Sequence, residues 1–233
     1  MKFGIVVFPG SNCDRDCHYA VQEVLGGEAS WIWHGERSVG AVDAVILPGG
    51  FSYGDYLRAG AIASSSPVMD AVASFAERGG IVIGICNGFQ ILCEAGLLPG
   101  VLLPNNSVQF RCEQTTLLVT NINTPFTELY YREEVIRMPI AHGMGNYFVP
   151  EEAANQLEEK HQVVFRYVNE KGETTPESNP NGSVQNIAGV CNERGNVLGL
   201  MPHPERACEE WMGSDDGLRI FASMSRALGS RRK

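Results

Sequence analysis

Short apolar runs alternate with longer amphipathic stretches along most of the chain. Lys2–Phe8 is an apolar run that stops at Pro9-Gly10 and reads as a first strand. Asp14–Leu25 has helical spacing, and Asn12 is placed to cap it. Ala44–Leu47 is a second apolar run, ended by Pro48-Gly49-Gly50. Val68–Arg78 reads as a helix stopped by Gly79-Gly80. Ile81–Ile85 is β-branched apart from Gly84, which predicts a strand buried on both faces, with Phe89–Glu94 as the helix after it. Later strands are expected at Leu117–Thr120, Val163–Val168, Ile187–Cys191 and Val197–Leu200, and a closing helix from about Asp215 to Ala227. Glu170–Gly182 is polar and rich in Pro, Asn and Gly, so it reads as a loop. The alternation predicts an α/β fold with a mostly parallel central sheet and helices on both faces. No repeat or low-complexity linker divides the chain, so residues 1–233 are expected to form a single domain.

Composition narrows the class. Hydrophobic residues make up 44% and charged residues 19%, as in a globular protein. The net charge is −9 with no basic stripe to offset it, which argues against a nucleic-acid partner. No apolar run reaches the roughly 18 residues of a membrane helix, and the N-terminal run is too short for a secretory signal. The cysteines number seven, at 13, 17, 86, 93, 112, 191 and 208, and none forms a C-x-x-C pair. An odd count without that spacing argues against a disulfide framework and a zinc ribbon, and fits a reducing cytoplasm. No His/Cys/carboxylate group has metal-ligand spacing, so no metal is expected. No P-loop and no G-x-G-x-x-G after a strand occurs, which places any nucleotide chemistry on another chain.

Gly84-Ile85-Cys86-Asn87-Gly88-Phe89-Gln90 carries the most chemistry. A buried strand runs through a G-x-C-x-G turn into a helix, the nucleophile-elbow pattern with Cys for Ser. A nucleophile on so tight a turn needs residues without a Cβ two before and two after it. The thiol would project over the C-terminal edge of the sheet, at a helix N-terminus that favours thiolate. By itself the motif fits a core cysteine between glycines about as well. Cysteines other than Cys86 read as small buried apolar side chains.

A nucleophile needs a base, and the base an orienter. His203 and Glu205 lie in Met201-Pro202-His203-Pro204-Glu205-Arg206, where Pro204 keeps His203 out of the helical region. In an extended segment residues i and i+2 share a face, roughly 6.5–7 Å apart. Glu205 can then hold one imidazole nitrogen while the other faces the thiol. Either residue alone would read as structural. His18 falls in a helical stretch, and His34 and His161 read as exposed. An acyl-transfer site also needs oxyanion donors. The Pro48-Gly49-Gly50 turn offers backbone N–H groups, and the N–H of Asn87 a second one.

Together these residues resemble the class I (triad) glutamine amidotransferases, whose motif order they follow. The resemblance implies a flavodoxin-like fold, with Cys86 as nucleophile, His203 as base and Glu205 as orienter. It implies Gly50 and Asn87 at the oxyanion, and Gly49, Gln90, His142 and Gly143 at the bound glutamine. Further motifs are Gly96-Leu97-Leu98-Pro99-Gly100, Asn105 with Ser107, Phe110 and Cys112, Pro139-Ile140-Ala141-His142-Gly143, and Asn179-Pro180-Asn181-Gly182-Ser183. Over nearly the whole chain these are similar to the small glutaminase subunits of phosphoribosylformylglycinamidine synthases (PurQ type). That likeness implies ammonia delivery through a tunnel to a larger synthetase subunit (PurL type), with ATP and Mg on that partner and a small accessory subunit (PurS type). Met144 departs from the pattern, which has an acidic residue there. Two other readings stay open: a peptidase or γ-glutamyl hydrolase on a similar scaffold, and a non-catalytic scaffold subunit. Glutamine against peptide substrates separates the first, and labelling by glutamine analogues the second.

Overall fold

The computed structural model describes residues 1–231. It opens with β1 (Lys2–Val7) and α1 (Asp14–Tyr19), whose last turn widens into a π-helical segment, Ala20–Val24. β2 (Glu28–Trp33), β3 (Ala44–Leu47), α2 (Pro67–Glu77), β4 (Ile81–Ile85) and α3 (Asn87–Glu94) follow. The middle of the chain gives β5 (Val101–Leu103), β6 (Arg111–Val119), β7 (Val135–His142), β8 (Asn146–Phe148) and α4 (Glu151–Glu159). β9 (Val163–Val168), β10 (Ile187–Cys191), β11 (Val197–Leu200) and α5 (Leu218–Arg231) complete it.

The main sheet has the order β2-β1-β3-β4-β11-β10-β9-β6-β7. The run β2-β1-β3-β4-β11 is parallel, as the βα alternation requires. From β11 onward each pairing is antiparallel, an arm the alternation did not announce. A separate ribbon pairs β5 with β8. β4 is buried at every residue, with β3 and β11 buried beside it. All three have close-packed neighbours on both faces. Gly199 in β11 leaves room for Phe89 of α3; a Cβ there would lie 2.1 Å from Cδ2 of that ring.

Several elements escaped the sequence for physical reasons. β2 buries only Ile32, being an edge strand. β7 alternates cleanly, with Ile136, Met138 and Ile140 inward, but contains Pro139, which an edge strand tolerates. α4 buries just Ala154 and Leu157. The strand expected at Leu117–Thr120 begins at Arg111, because its first half is exposed and polar. Asn12 does not cap α1: the N-cap is Cys13, and Asn12 Oδ1 instead accepts from the Cys13 thiol at 3.3 Å. His34 is half-buried rather than exposed, 2.8 Å from the Tyr53 hydroxyl.

Candidate active site

Four adjacent parallel strands, β1, β3, β4 and β11, end at one edge of the sheet. The segments leaving those ends carry Cys13, the Pro48-Gly49-Gly50 turn, Cys86 and His203. Groups far apart in sequence therefore meet where α/β sheets bind ligands.

Cys86 caps α3 with φ 50° and ψ −103°, a backbone that an L side chain rarely adopts. The flanking glycines show what holds it there. A Cβ on Gly88 would lie 1.9 Å from the Leu47 carbonyl oxygen, and one on Gly84 2.6 Å from the Gly88 carbonyl. The Cys86 N–H donates to the Leu200 carbonyl at 2.8 Å, tying the elbow to β11. Its sulfur lies 3.8 Å from the Ala141 carbonyl of β7. β7 is five places from β4 in the sheet order, so the antiparallel arm folds back over the carboxyl edge.

His203 is extended (φ −104°, ψ 90°), as Pro204 demands, and its N–H donates to the Pro139 carbonyl at 2.8 Å. The chain then tightens into a short 3-10 turn, Pro204–Arg206, so Glu205 reaches the ring from a turn and not along a straight strand. Glu205 Oε1 sits 2.6 Å from His203 Nδ1, with both side chains buried. Burial pulls the imidazole's pKa down, yet the Glu205 carboxylate, aided by the Cys86 and Cys13 thiols, outweighs it and holds His203 well above its ordinary value. Nε2 of His203 and Oε2 of Glu205 are buried without a hydrogen-bond partner.

Gly49 fits where a side chain cannot: its Cβ would stand 2.9 Å from His203 Cε1, 3.1 Å from Cys13 Sγ and 3.4 Å from Cys86 Cβ. Gly50 takes φ 136°, with Asn12 N 2.7 Å from the position of its Cβ. Asn87 starts α3, where first-turn amides have no intrahelical partner. Its side chain is buried, accepting from the Ser52 N–H at 3.1 Å and donating to Gln90 Oε1 at 2.9 Å. Gln90 in turn donates to the Met144 carbonyl at 2.7 Å. Asp55, 3.4 Å from Asn87 Nδ2, is half-buried, and burial pushes its carboxyl up to about 6.

His142 closes β7 and is clamped. Its Nδ1 lies 3.1 Å from Asn105 Oδ1, and its Nε2 lies 3.4 Å from Asn181 Nδ2. Asn105 also donates to the carbonyls of Gln109 and His142 and accepts from the Gly145 N–H. Burial, with the His203 charge second, lowers His142 to about 4, so the ring is neutral and both nitrogens are engaged. Gly143, by contrast, stands open beside the half-exposed Phe110, whose ring faces Phe51 at 6.4 Å.

Cys13 was not expected here. Read from sequence as an inert buried thiol, it lies with His203 and Glu205, one ligand-type atom of each within 4.8 Å of the others. It also accepts from Arg206 Nη2 at 3.2 Å. Its position just past the end of β1 was the available signal. Cys17, Cys191 and Cys208 are buried as expected, but Cys112 is exposed on β6.

A family model for the CobB/CobQ-like glutamine amidotransferase domain matches residues 1–224. The chain is 58% identical over 224 residues to phosphoribosylformylglycinamidine synthase subunit PurQ of Moorella thermoacetica, covering 96% of this chain and 95% of that protein. It is 56% identical to the subunit of the same name from Salinibacter ruber, with 96% and 95% covered. Among solved structures, one chain of PurLQS from Thermotoga maritima superposes with a TM-score of 0.86 at 46% identity, with 97% and 98% covered.

Proposed function

The chain belongs to the family of CobB/CobQ-like glutamine amidotransferases, and on that footing we propose that Cys86, His203 and Glu205 hydrolyse glutamine through a thioester on Cys86. It serves as the glutaminase subunit of a phosphoribosylformylglycinamidine synthase, the activity named in its relatives. One observation carries the residue assignment: an elbow cysteine at φ 50° ends β4 while a buried His203–Glu205 pair, 2.6 Å apart, ends the neighbouring β11.

The Cys86 thiolate attacks the side-chain amide carbon of glutamine. The backbone N–H groups of Gly50 and Asn87 receive the oxyanion. His203, protonated and held by Glu205, gives its proton to the departing nitrogen, and ammonia leaves. The same imidazole then takes a proton from water, which attacks the thioester and releases glutamate. Gln90 anchors the Met144 loop to α3 and Gly143 offers an open backbone edge to the substrate. His142 holds that loop through Asn105 and Asn181 rather than touching glutamine.

Ammonia passes to a PurL-type synthetase subunit, with a PurS-type accessory subunit in the complex. The partner uses ATP and Mg to turn formylglycinamide ribonucleotide into the amidine. No helix among the described residues is long and apolar enough to cross a membrane, and we place the complex in the cytoplasm. The whole chain acts as one amidotransferase domain. Gly49-Gly50 is suited to gating, because a glycine peptide reorients at small steric cost.

A diazo or chloroketone glutamine analogue tests the reading. It is expected to label Cys86 and spare the exposed Cys112, and Cys86→Ser is expected to abolish glutamate release. Release is also expected to rise when the synthetase and its nucleotide ligands are added. Labelling at Cys112 or Cys93 would refute the assignment, and full activity of the isolated chain, unchanged by any partner, would refute the gating.

A further inference from the structure

The chain beyond Gly50 is strained. Tyr53, Asp55 and Leu57 take φ of 53°, 54° and 68°, a region that residues with a side chain rarely adopt. Such a loop keeps its place only where its surroundings hold it. On one side the segment after β1 does so. The Phe51 N–H donates to the Gly10 carbonyl at 3.1 Å, and the Tyr53 N–H to the Pro9 carbonyl at 2.6 Å. On the other side the hold comes from α3, where the Asn87 side chain accepts from the Ser52 N–H at 3.1 Å.

We propose that the side chains of Asn87 and Gln90 form a positioning relay, which sets the oxyanion turn at Gly50 by tying it to the loop after β7. Three bonds run in series. The Ser52 N–H donates to Asn87 Oδ1 at 3.1 Å, Asn87 Nδ2 to Gln90 Oε1 at 2.9 Å, and Gln90 Nε2 to the Met144 carbonyl at 2.7 Å. Their polarity is fixed from both ends. A backbone N–H can only donate, so Asn87 must turn Oδ1 towards Ser52 and Nδ2 towards Gln90. A backbone carbonyl can only accept, so Gln90 must turn Nε2 towards Met144 and Oε1 towards Asn87. The two requirements agree in the middle. Flipping either amide would set like atoms against each other at both of its contacts. Asp55 favours the same orientation, because its Oδ1, 3.4 Å from Asn87 Nδ2, accepts. Both relay side chains are buried, so water does not readily replace a lost partner.

Neither side chain touches the reacting atoms. Asn87 acts here through its amide group, apart from the role proposed for its backbone N–H. The relay joins the loop that carries Gly143 to the turn that carries Gly50, so the place of one is felt at the other. This inference rests on the proposed function, because it takes Gly50 as an oxyanion donor.

The test compares two reactions of Cys86. Glutamate release is measured in the complex, with the synthetase and its nucleotide ligands at saturation. The rate at which iodoacetamide alkylates Cys86 is followed by peptide mass. Alkylation forms a sulfur–carbon bond at a saturated carbon and expels iodide, so it develops no oxyanion and does not need the turn. Asn87→Leu keeps the backbone N–H and the side chain's bulk, and Gln90→Met keeps volume and helix propensity. Each is expected to lower kcat about tenfold or more, with alkylation within about twofold of the parent. The double variant is expected to be little worse than Asn87→Leu alone, whereas independent losses would multiply to about a hundredfold. Slowed alkylation would place the damage in the elbow. A raised KM at the parent's kcat would make Gln90 a plain substrate contact, and multiplying losses would make the two residues separate. Each of these results overturns the relay. Should Asn87→Leu fail to fold, Gln90→Met decides alone by the same two rates. A parent complex that releases no glutamate overturns the proposed function and the relay with it. An active parent joined to an unaffected Gln90→Met overturns the relay alone.

Discussion

The elbow around Cys86 and the clamp around His142 position loops at the same edge of the sheet by opposite means. The elbow works by leaving atoms out. Gly84, Gly88 and Gly199 let β3, β4, β11 and α3 approach until no methyl group fits between them. The clamp works by adding polar atoms: Asn105 alone makes four contacts to residues 109, 142 and 145. Close packing of backbone is unforgiving, because a carbonyl or a helix turn cannot step aside. An amide network loses its bonds one at a time, each worth about 1 kcal/mol net unless a buried group is orphaned. On the proposed roles, the chemistry is thus fixed by the stiff region and the substrate's surroundings by the adjustable one.

The sharpest way to break this contrast is Gly88→Ala. With the Leu47 carbonyl 1.9 Å from the new Cβ, a loss of at least about 3 kcal/mol in urea unfolding is expected. Glutamate release is expected to fall below detection. A stable, active Gly88→Ala protein would show that the elbow is not held by packing.

Within the triad the effects should grade. His203→Ala is expected to cost about 10⁵-fold in kcat and Glu205→Gln about 10³-fold. Glu205→Gln also removes the carboxylate that holds the imidazole up against its burial. The histidine limb of the pH–rate profile is therefore expected to move to lower pH. An unmoved limb would mean that Glu205 only shapes the turn.

Asn105→Ala probes the clamp. It strands Nδ1 of His142 and the N–H of Gly145, both buried, so a loss of about 2–3 kcal/mol is expected. The KM for glutamine is expected to rise about tenfold while the analogue still labels Cys86. Abolished labelling would make the two regions equally rigid and erase the contrast.

Acid titration gives the smallest and most discriminating effects. His142 sits at about 4 in the fold against 6.5 for an ordinary histidine. Its contribution to stability is full above pH 6.5 and lost as pH falls towards 4, because the unfolded chain takes the proton first. His142→Gln should flatten that slope in a pH series of thermal melts. Asp55 has the opposite sign. Its carboxyl is raised from 3.8 to about 6, so its burial weakens the fold as pH rises through that window. Asp55→Asn should give a small gain at neutral pH and none in acid. A gain in acid would assign the shift to something other than burial.

The stiff region is also the one that could be read without a structure. Gly84-x-Cys86-x-Gly88 and His203-Pro204-Glu205 are local patterns whose geometry follows from missing Cβ atoms and from proline. The antiparallel arm is another matter. Arg111-Cys112-Glu113-Gln114 has no apolar face, and only its pairing with β7 makes it a strand. Asn105 and Asn181 look like loop residues, because an asparagine's partner is chosen by the fold and not by its neighbours in sequence. Cys13 shows the same limit. A thiol four residues past a proline gives no sign that it will lie beside an imidazole from the far end of the chain.

That last separation affects how the protein is made. Arg206 bonds Asp16 across 190 residues, and β4 is flanked by β11. A ribosome adding about 5–20 residues each second exposes the elbow thiol well before it delivers His203. A nascent chain ending before β11 holds its cysteine without His203 and Glu205, the proposed base and orienter, and without the strand that seats the elbow. With Cys86 and His203 in the roles proposed above, glutamine is safe from half-built copies, and so is glutamine near any copy that a protease trims from the C-terminal side past residue 203. On those roles, hydrolysis waits until β11 and the His203 segment have been added beside β4.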